Sequence, residues 1–233
     1  MRRVIVTDLT RFKTPEKLCT AVIDTNTGQC FRPMPYLSSS RCAELNIHPG
    51  AIVEGNISLI PNSSNPHIED ANYSDLRYLG PASSSEFKAI LDRTLSASIS
   101  SGFGVHFEEN QKHIPFGVKA NCSIITIKIS PHLLDIHEDQ YNPGKIKASF
   151  VDLQGFSVRY LSITDRGFYD YAMRHQQAGS IHKINDFVHS QDELYLRIGV
   201  GRRWQVGDRD GFWLQVNGIY TFPNFLDEIR SYV

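Results

Sequence analysis

The chain has 233 residues, of which 41% are hydrophobic and 21% charged, so it can bury a core and lacks the composition of a disordered protein. Its 24 Lys and Arg against 25 Asp and Glu give a formal charge of −1, which excludes binding to nucleic acid through an overall positive charge. No stretch approaches the roughly 18 apolar residues of a membrane span, and no signal peptide is evident. We therefore expect a cytoplasmic protein with no membrane contact, whose only route to nucleic acid is a local basic patch.

The first half of the chain is rich in short runs of β-branched residues. Residues 3–8 and 18–24 predict strands, and the turn sequence NTG folds the second of these into a hairpin with residues 29–32. Residues 51–60 predict a further strand. Apolar residues at spacings of three and four predict an amphipathic helix over residues 83–99.

The second half of the chain has a clearer order of elements. Three strands, one helix capped by Asp165 and two more strands are predicted at residues 123–129, 145–152, 156–164, 166–178, 193–201 and 212–222. This is the order of an OB-fold, a five-stranded Greek-key barrel.

The predicted elements indicate a mainly β protein with a few helices, built from two OB-fold-like Greek-key barrels packed together. Residues 1–121 would form the first barrel, with an added helix near residues 83–99. Residues 122–233 would form the second barrel. Residues 61–121 match no pattern that assigns their fold.

Three segments resemble a known family: CTAVIDTNTGQCFRPMP at 19–35, LYLRIGVGRRW at 194–204 and FWLQVNGIYTFPNFL at 212–226. In these segments the chain resembles the bacterial dual-OB-containing domain family. The resemblance implies two OB-folds in one unit and a nucleic-acid-binding role in a bacterial conflict or phage-defence setting. It carries over no catalytic residues.

The loop before the last predicted strand is a candidate binding site, because an OB barrel binds its ligand on strands two and three and on the loops that flank them. This loop contains Arg202, Arg203 and Trp204. Arginines pair with phosphate and an indole stacks on a base, as binding to single-stranded nucleic acid requires. Two aspartates in the same loop offset much of the charge. The alternative is a solvated hairpin loop whose tryptophan covers one end of the barrel.

Strand alternation places Tyr195 and Arg197 on the outer face of the second barrel. Arg159, Lys145 and Lys147 would add outward positive charge on its second and third strands. This surface either contacts nucleic acid or forms an interface with the other barrel or a partner protein, because Tyr and Arg are enriched in protein interfaces as well.

The first barrel offers one candidate contact, Arg32. It would lie on the ligand face of that barrel, or else pair with Asp24 across the predicted hairpin.

The sequence contains no motif of a known catalytic or cofactor-binding site. The closest set of potential ligands, within residues 132–139, fits no defined metal site and is interpreted as a solvated loop. The four cysteines lack paired spacing and are interpreted as buried free thiols. We therefore expect no catalytic residue, no metal and no cofactor.

The expected function is non-catalytic binding of single-stranded or otherwise accessible DNA or RNA. The predicted contacts are Arg202, Arg203, Trp204, Tyr195, Arg197, Arg159 and Arg32. The alternative is a protein-interaction or regulatory subunit of a multi-protein defence complex, with a partner encoded nearby. The near-neutral charge and the aromatic residues at outward positions favour this alternative.

Overall fold

The structure is a computed structural model that describes residues 1–12 and 14–230. The chain is mainly β, with 44% strand and 21% helix. It divides into two compact units, the first comprising Met1–Thr94 and the described residues from Leu226 onward, the second Leu95–Phe225. The boundary predicted at residue 121 had assigned residues 95–121 to the first unit, but they belong to the second.

The first unit contains six strands and two α-helices. They are β1 (Arg2–Arg11), β2 (Lys17–Asp24), β3 (Cys30–Met34), β4 (Leu37–Ser38), α1 (Ser39–Glu44), β5 (Ala51–Leu59), β6 (Asp70–Pro81) and α2 (Ser84–Arg93). A short 3-10 helix follows at Asp227–Ile229. The strands pair in the order β1-β5-β6-β3-β2, and β2 returns to pair with β1, which closes a five-stranded barrel. All five pairings in this barrel are antiparallel except β3 with β6.

The helix predicted over residues 83–99 begins where expected but is shorter. The Ser83 hydroxyl accepts a hydrogen bond from the Glu86 backbone N–H, and the Glu86 carboxylate accepts one from the Ser83 backbone N–H, so the two form a capping box. α2 ends at Arg93. Leu95, which the prediction placed on the buried face of the helix, belongs to the second unit, where it is 40% exposed and forms an isolated bridge with Thr126.

The second unit contains eight strands and three α-helices. They are α3 (Ile99–Phe103), β7 (His113–Pro115), β8 (Ile124–Ile129), β9 (Leu134–Glu138), β10 (Ile146–Val151), β11 (Ser157–Ile163), α4 (Arg166–Gln177), α5 (His182–His189), β12 (Glu193–Val200), β13 (Trp204–Val206) and β14 (Arg209–Phe222). The main path of the sheet is β8-β12-β14-β11-β10-β9, and β7 and β13 also pair with β14. Only β11 and β14 are parallel. The two outer strands of this path, β8 and β9, are consecutive in the chain and are separated by a 3-10 helix at Pro131–Leu133.

The predicted fold class is confirmed: the protein is mainly β, with two barrel-like units. Every strand and helix predicted after residue 122 is present. β9 was interpreted as loop, because its polar residues conceal the alternation of buried Leu134 and Ile136. None of the helices among the described residues has the length and apolar character needed to cross a membrane.

Candidate nucleic-acid interface

Tyr195 and Arg197 are buried, with exposed fractions of 0% and 1%. The prediction that they point outward was wrong. β12 lies between β8 and β14, and its residues Leu194–Val200 are all buried, so both faces of the strand are covered. The Arg197 guanidinium donates a hydrogen bond to the Thr126 hydroxyl at 2.8 Å. Neither side chain is available to a ligand in solution.

Arg32 is also buried and does not lie on an accessible ligand face. Its Nε donates to Asp70 at 2.6 Å, on the parallel neighbour β6. The alternative partner predicted for it, Asp24, instead accepts from Arg2 at 2.9 Å. Arg32 therefore contributes a buried ion pair to the first barrel rather than a surface charge.

Arg203 is exposed, but its charge is already paired. It donates to both carboxylate oxygens of Asp210, with Nε at 2.9 Å from Oδ1 and Nη2 at 2.6 Å from Oδ2. These hydrogen bonds raise the pKa of Arg203 and lower the pKa of Asp210. The guanidinium also lies 3.5 Å from the centre of the Phe116 ring. Arg203 thus joins the hairpin of β13 and β14 to the segment after β7.

Arg202 and Trp204 lie on the exposed side of the same hairpin. The Trp204 side chain is 66% exposed, and its carbonyl accepts a hydrogen bond from Trp213 Nε1 at 2.9 Å. The backbone of Trp204 is therefore held in place while its indole remains accessible to a ligand.

The second unit contains a groove with a positively charged lining, which we call the cationic groove. It is a cavity of about 460 Å³ where β10 and β11 meet the loop after β9 and the start of β14. It is lined by Asn110, Lys112, Asp139, Tyr141, Asn142, Lys147, Arg159, Tyr160 and Arg209. Four of these side chains are cations and one is an anion, so the groove is strongly positive in a chain of formal charge −1.

The two lysines of the groove are held by neighbouring strands and partly shielded from water. Lys112 Nζ donates to the Arg159 carbonyl at 3.0 Å, and Lys147 Nζ donates to Ser162 Oγ at 2.9 Å. Burial lowers the pKa of Lys112, and repulsion from Lys147 and Arg209 lowers it further. Burial also lowers the pKa of Lys147, against the opposing attraction of Asp139. The groove thus holds positive charge that the protein only partly compensates.

Asp139 is the single carboxylate of the groove and organises the loop after β9. Its side chain is 4% exposed and lies 3.8 Å from Lys147 Nζ. It accepts from the Tyr141 backbone at 3.0 Å and from Asn142 Nδ2 at 3.1 Å. Burial opposes its ionisation, but these hydrogen bonds and Lys147 together hold the pKa of Asp139 below its usual value. Because Asp139 is buried and bonded within the loop, it leaves the surface of the groove to the cations and the tyrosines.

A β-bulge positions Tyr160 at the groove. The register of β10 and β11 shifts between Ala148 and Phe150, and Tyr160 has a φ of 55°, which is uncommon for a residue other than glycine. Its backbone N–H donates to Ser149 Oγ at 3.1 Å, and His137 Nε2 lies 2.8 Å from the same hydroxyl. Such backbone conformations cluster at functional sites, where the surrounding structure holds them.

Two tyrosine rings, Tyr141 and Tyr160, form an aromatic edge of the groove. The Tyr160 ring packs edge-on against His137 at 4.9 Å and against Tyr141 at 5.7 Å. Tyr141 is 74% exposed. The groove therefore combines cations with an accessible aromatic ring.

Arg209, another residue of the lining, lies over one ring of an aromatic pair. Its guanidinium lies 5.1 Å from the centre of the Trp213 ring, which stacks on His113 at 5.0 Å and 23°. Burial lowers the pKa of His113, and the charge of Arg209 lowers it further, so the neutral imidazole is favoured in this stack. In the part of the chain that the structure describes, neither Arg209 nor Arg159 forms an ion pair.

Of the seven predicted site residues, only Arg159 lines the groove. Lys147, which the sequence analysis had placed with Arg159 on the outer face of the second barrel, lines it too. Lys112, Tyr141, Tyr160 and Arg209 were not identified. Lys112 lies in a glycine-punctuated segment that no pattern assigned, and Arg209 lies between two aspartates that conceal its charge.

Within residues 1–12 and 14–230, no three His, Cys, Asp or Glu side chains converge as they would around a metal ion. The residues of the 132–139 segment have other contacts: His137 bonds to Ser149, and His132 packs on His189 at 5.4 Å. All four cysteines are free thiols, of which Cys42 is buried and the other three are half-buried.

Comparison of the chain with protein-family models, with curated proteins and with solved structures finds no match in any of the three.

Proposed function

We propose that the protein binds single-stranded nucleic acid at the cationic groove and catalyses no reaction on it. The observation that carries this proposal is the convergence of four cationic side chains, only partly balanced by Asp139, beside exposed Tyr141. Positive grooves that track a phosphate backbone, with aromatic rings for the bases, are the general solution for binding single strands.

The groove residues divide into two roles. Arg159 and Arg209 reach the surface and pair with phosphate oxygens, for which their planar guanidinium groups are suited. Lys112 and Lys147 add positive charge from deeper in the groove. Tyr141 stacks on a base, an interaction worth about 1–3 kcal/mol. Stacking requires an unpaired base, and therefore a single strand is preferred over a duplex.

The order of the strands supports the assignment of both units as OB-folds. If β8 and β9 count as one interrupted strand, the second unit has the barrel order one, two, three, five, four, and the first unit has the same order. The OB-fold binds oligonucleotides on its second and third strands and between the loops that flank them. β10 and β11 are these strands, and the groove lies on them. The resemblance to the bacterial dual-OB-containing domain family leads to the same proposal, with a role in phage defence.

The hairpin of β13 and β14 supplies a second contact in this proposal. Arg202 and the exposed Trp204 lie on the hairpin that leads into Arg209, a groove residue. A strand that leaves the groove past Arg209 would meet this indole next. The proposal retains the cytoplasmic location expected from the sequence, where free thiols are the usual state of cysteine.

Titration with a fluorescent single-stranded oligonucleotide tests the proposal, at several salt concentrations starting from about 50 mM. Arg159→Ala combined with Arg209→Ala should weaken binding and reduce the slope of log K against log salt by about 0.7 for each lost phosphate contact. Arg41→Ala combined with Arg77→Ala is the matched control, because both are exposed arginines of the first unit and their removal changes the net charge by the same two units. Affinity no tighter than about 100 μM at low salt, the weak end of non-specific binding, would refute the proposal.

A specific observation favours a second function, binding to a partner protein. Phe116, Val118, Trp204 and Val206 are between 40% and 66% exposed and lie on β13 and the segment after β7, both joined to β14. Exposed apolar groups of this kind mark interaction surfaces. If the protein binds a partner protein here, a stoichiometric complex should survive nuclease and high salt and should be lost on Trp204→Ser. Arg159→Ala should not affect the formation of this complex.

A further inference from the structure

We infer that the cationic groove recognises a terminal phosphate group, a phosphomonoester or polyphosphate, in preference to the phosphodiesters inside a strand. The source of that group is the phosphorylated end of an oligonucleotide or a free nucleotide with the same chemistry. The inference rests on the proposed function, because it concerns the same groove and refines what the groove binds.

The cationic groove carries an excess of positive charge. Four cations face one carboxylate in the groove, an excess of three positive charges when all are ionised. The cavity of about 460 Å³ is in the size range of sites for small ligands, which hold one compact group rather than a long stretch of chain. An internal nucleotide brings a single negative charge, whereas a phosphomonoester carries about 1.5–2 near neutral pH. A terminal phosphate therefore balances this groove better than a phosphodiester does.

The donors of the groove come from four separate segments of the chain. Lys112 lies before β7, Lys147 on β10, Arg159 on β11 and Arg209 at the start of β14. These four cations line one cavity, so they can converge on a single phosphate group. A phosphomonoester presents three terminal oxygens to such a set of donors, and an internal phosphodiester presents two.

Holding these charges together without a ligand is unfavourable. The Lys147 side chain is only 19% exposed, and burial lowers the pKa values of both lysines, while repulsion from Lys147 and Arg209 lowers the pKa of Lys112 further. An anion with more than one charge compensates this repulsion at a single point. Asp139 lies 3.8 Å from Lys147 Nζ but offsets only one of the four positive charges.

The experiment compares oligonucleotides of one sequence that carry a 5′-hydroxyl, a 5′-phosphate, a 5′-methyl phosphate or a 3′-phosphate. The methyl phosphate is decisive, because it has almost the size of the 5′-phosphate but only one negative charge. We expect the phosphomonoester ends to bind roughly tenfold more tightly than the hydroxyl or methyl phosphate ends. The 5′ and 3′ arms show which end of the strand enters the groove.

Variants and competition identify the site and the source of the phosphate. Lys147→Gln and Arg209→Gln should each reduce the preference for phosphorylated ends to within about threefold, and Arg41→Gln should leave it unchanged. A nucleoside triphosphate that competes as strongly as the phosphorylated oligonucleotide would identify a free nucleotide as the ligand. Weak competition would identify a strand end. Thermal unfolding of each variant shows that it remains folded.

Two outcomes would overturn the inference, and they are distinguishable. Equal affinity for the four oligonucleotides, with binding still sensitive to Arg159→Ala, would refute end recognition and leave the proposed function intact. Binding of none of the oligonucleotides, and of no nucleoside triphosphate, would refute both.

Discussion

The two units share an order of strands but place their arginines differently. β3 in the first unit and β11 in the second each have a parallel neighbour, β6 and β14 respectively. Arg32 on β3 is buried and paired with Asp70 on that neighbour, whereas Arg159 on β11 is exposed and lines the cationic groove. The same position in a topology can therefore hold a structural ion pair in one unit and a candidate ligand contact in the other. What separates them is whether a carboxylate faces the arginine.

This comparison predicts opposite effects for the two arginines, and the largest is on stability. Arg32→Ala leaves the Asp70 carboxylate buried without its partner, which should lower the free energy of unfolding by about 3–5 kcal/mol. Arg159→Ala should change it by less than about 0.5 kcal/mol, as exposed substitutions do. Denaturant unfolding followed by circular dichroism measures both. Binding to an oligonucleotide should show the reverse pattern, weakened by Arg159→Ala alone, and a loss of binding in a folded Arg32→Ala variant would invalidate the comparison.

The next effect concerns the aromatic edge of the groove. Tyr141→Ala should weaken binding of a single-stranded oligonucleotide by about 1–3 kcal/mol, the worth of one stacked base. The salt dependence should stay the same, because no phosphate contact is removed. Tyr141→Phe is the control and should bind like the wild-type protein. If Tyr141→Phe were as weak as Tyr141→Ala, the hydroxyl rather than the ring would make the contact.

A smaller effect is expected at Ser149, which accepts the Tyr160 backbone N–H at the bulge. Ser149→Ala removes the hydrogen bonds of this hydroxyl to Tyr160 N–H and to His137 Nε2, each worth about 0.5–1.5 kcal/mol of stability. It should also weaken binding, because Tyr160 loses the support that holds it at the groove. In a double-mutant cycle on binding, Ser149→Ala should have no further effect when Tyr160 is already alanine. Additive losses would show that Ser149 does not act through Tyr160.

The smallest effect is on the pH dependence of binding. The lowered pKa of Lys112 means that its charge is lost at a lower pH than the usual 10.5, so affinity should decline by about threefold between pH 8 and pH 10. Lys147 is shifted in the same direction, and Arg209 and Asp139 are the other charges that face Lys112. Lys112→Arg should make the decline smaller, because a guanidinium stays protonated. An unchanged pH profile in this variant would exclude Lys112 from the contact.

The lowered pKa of Lys112 also makes the stability of the protein depend on pH. Because the folded protein holds the Lys112 proton less firmly than the unfolded chain does, the unfolded chain binds more protons as the pH approaches 10.5. The contribution of this lysine to stability therefore rises with pH in that window, while binding falls. Binding and stability should thus respond oppositely to alkaline pH at this residue.

How far the site could be predicted depends on how local its signals are. The strands of the second unit follow from alternating β-branched residues, and Asp165 caps α4 as expected, accepting from the Phe168 backbone at 3.1 Å. The same alternation failed on β12, where Tyr195 and Arg197 are buried because both faces of that strand are covered. Alternation reports which residues share a face, but it does not report whether that face is open to solvent.

The predicted basic loop shows a second reason for failure. Arg203 looked like the better phosphate ligand, but its bidentate pair with Asp210 neutralises it and leaves neighbouring Arg209 without an ion pair among the described residues. Asp210 pairs with Arg203, which also lies over the ring of Phe116, a residue distant in the chain. The loop sequence alone does not predict this choice of partner.

The sequence by itself determined the chain order of the main elements after residue 122, the hairpin of β2 and β3 and a core large enough for two barrel-like units, because these follow from composition, periodicity and turn residues within short windows. It did not reveal β6, which lies within residues 61–121. Only the tertiary structure decided which charges remain accessible. Arg32 meets Asp70 across 38 positions of the chain, and Lys112 reaches the Arg159 carbonyl across 47. Whether a cation is neutralised or presented to a ligand depends on such distant neighbours, and the folding of each unit brings them together.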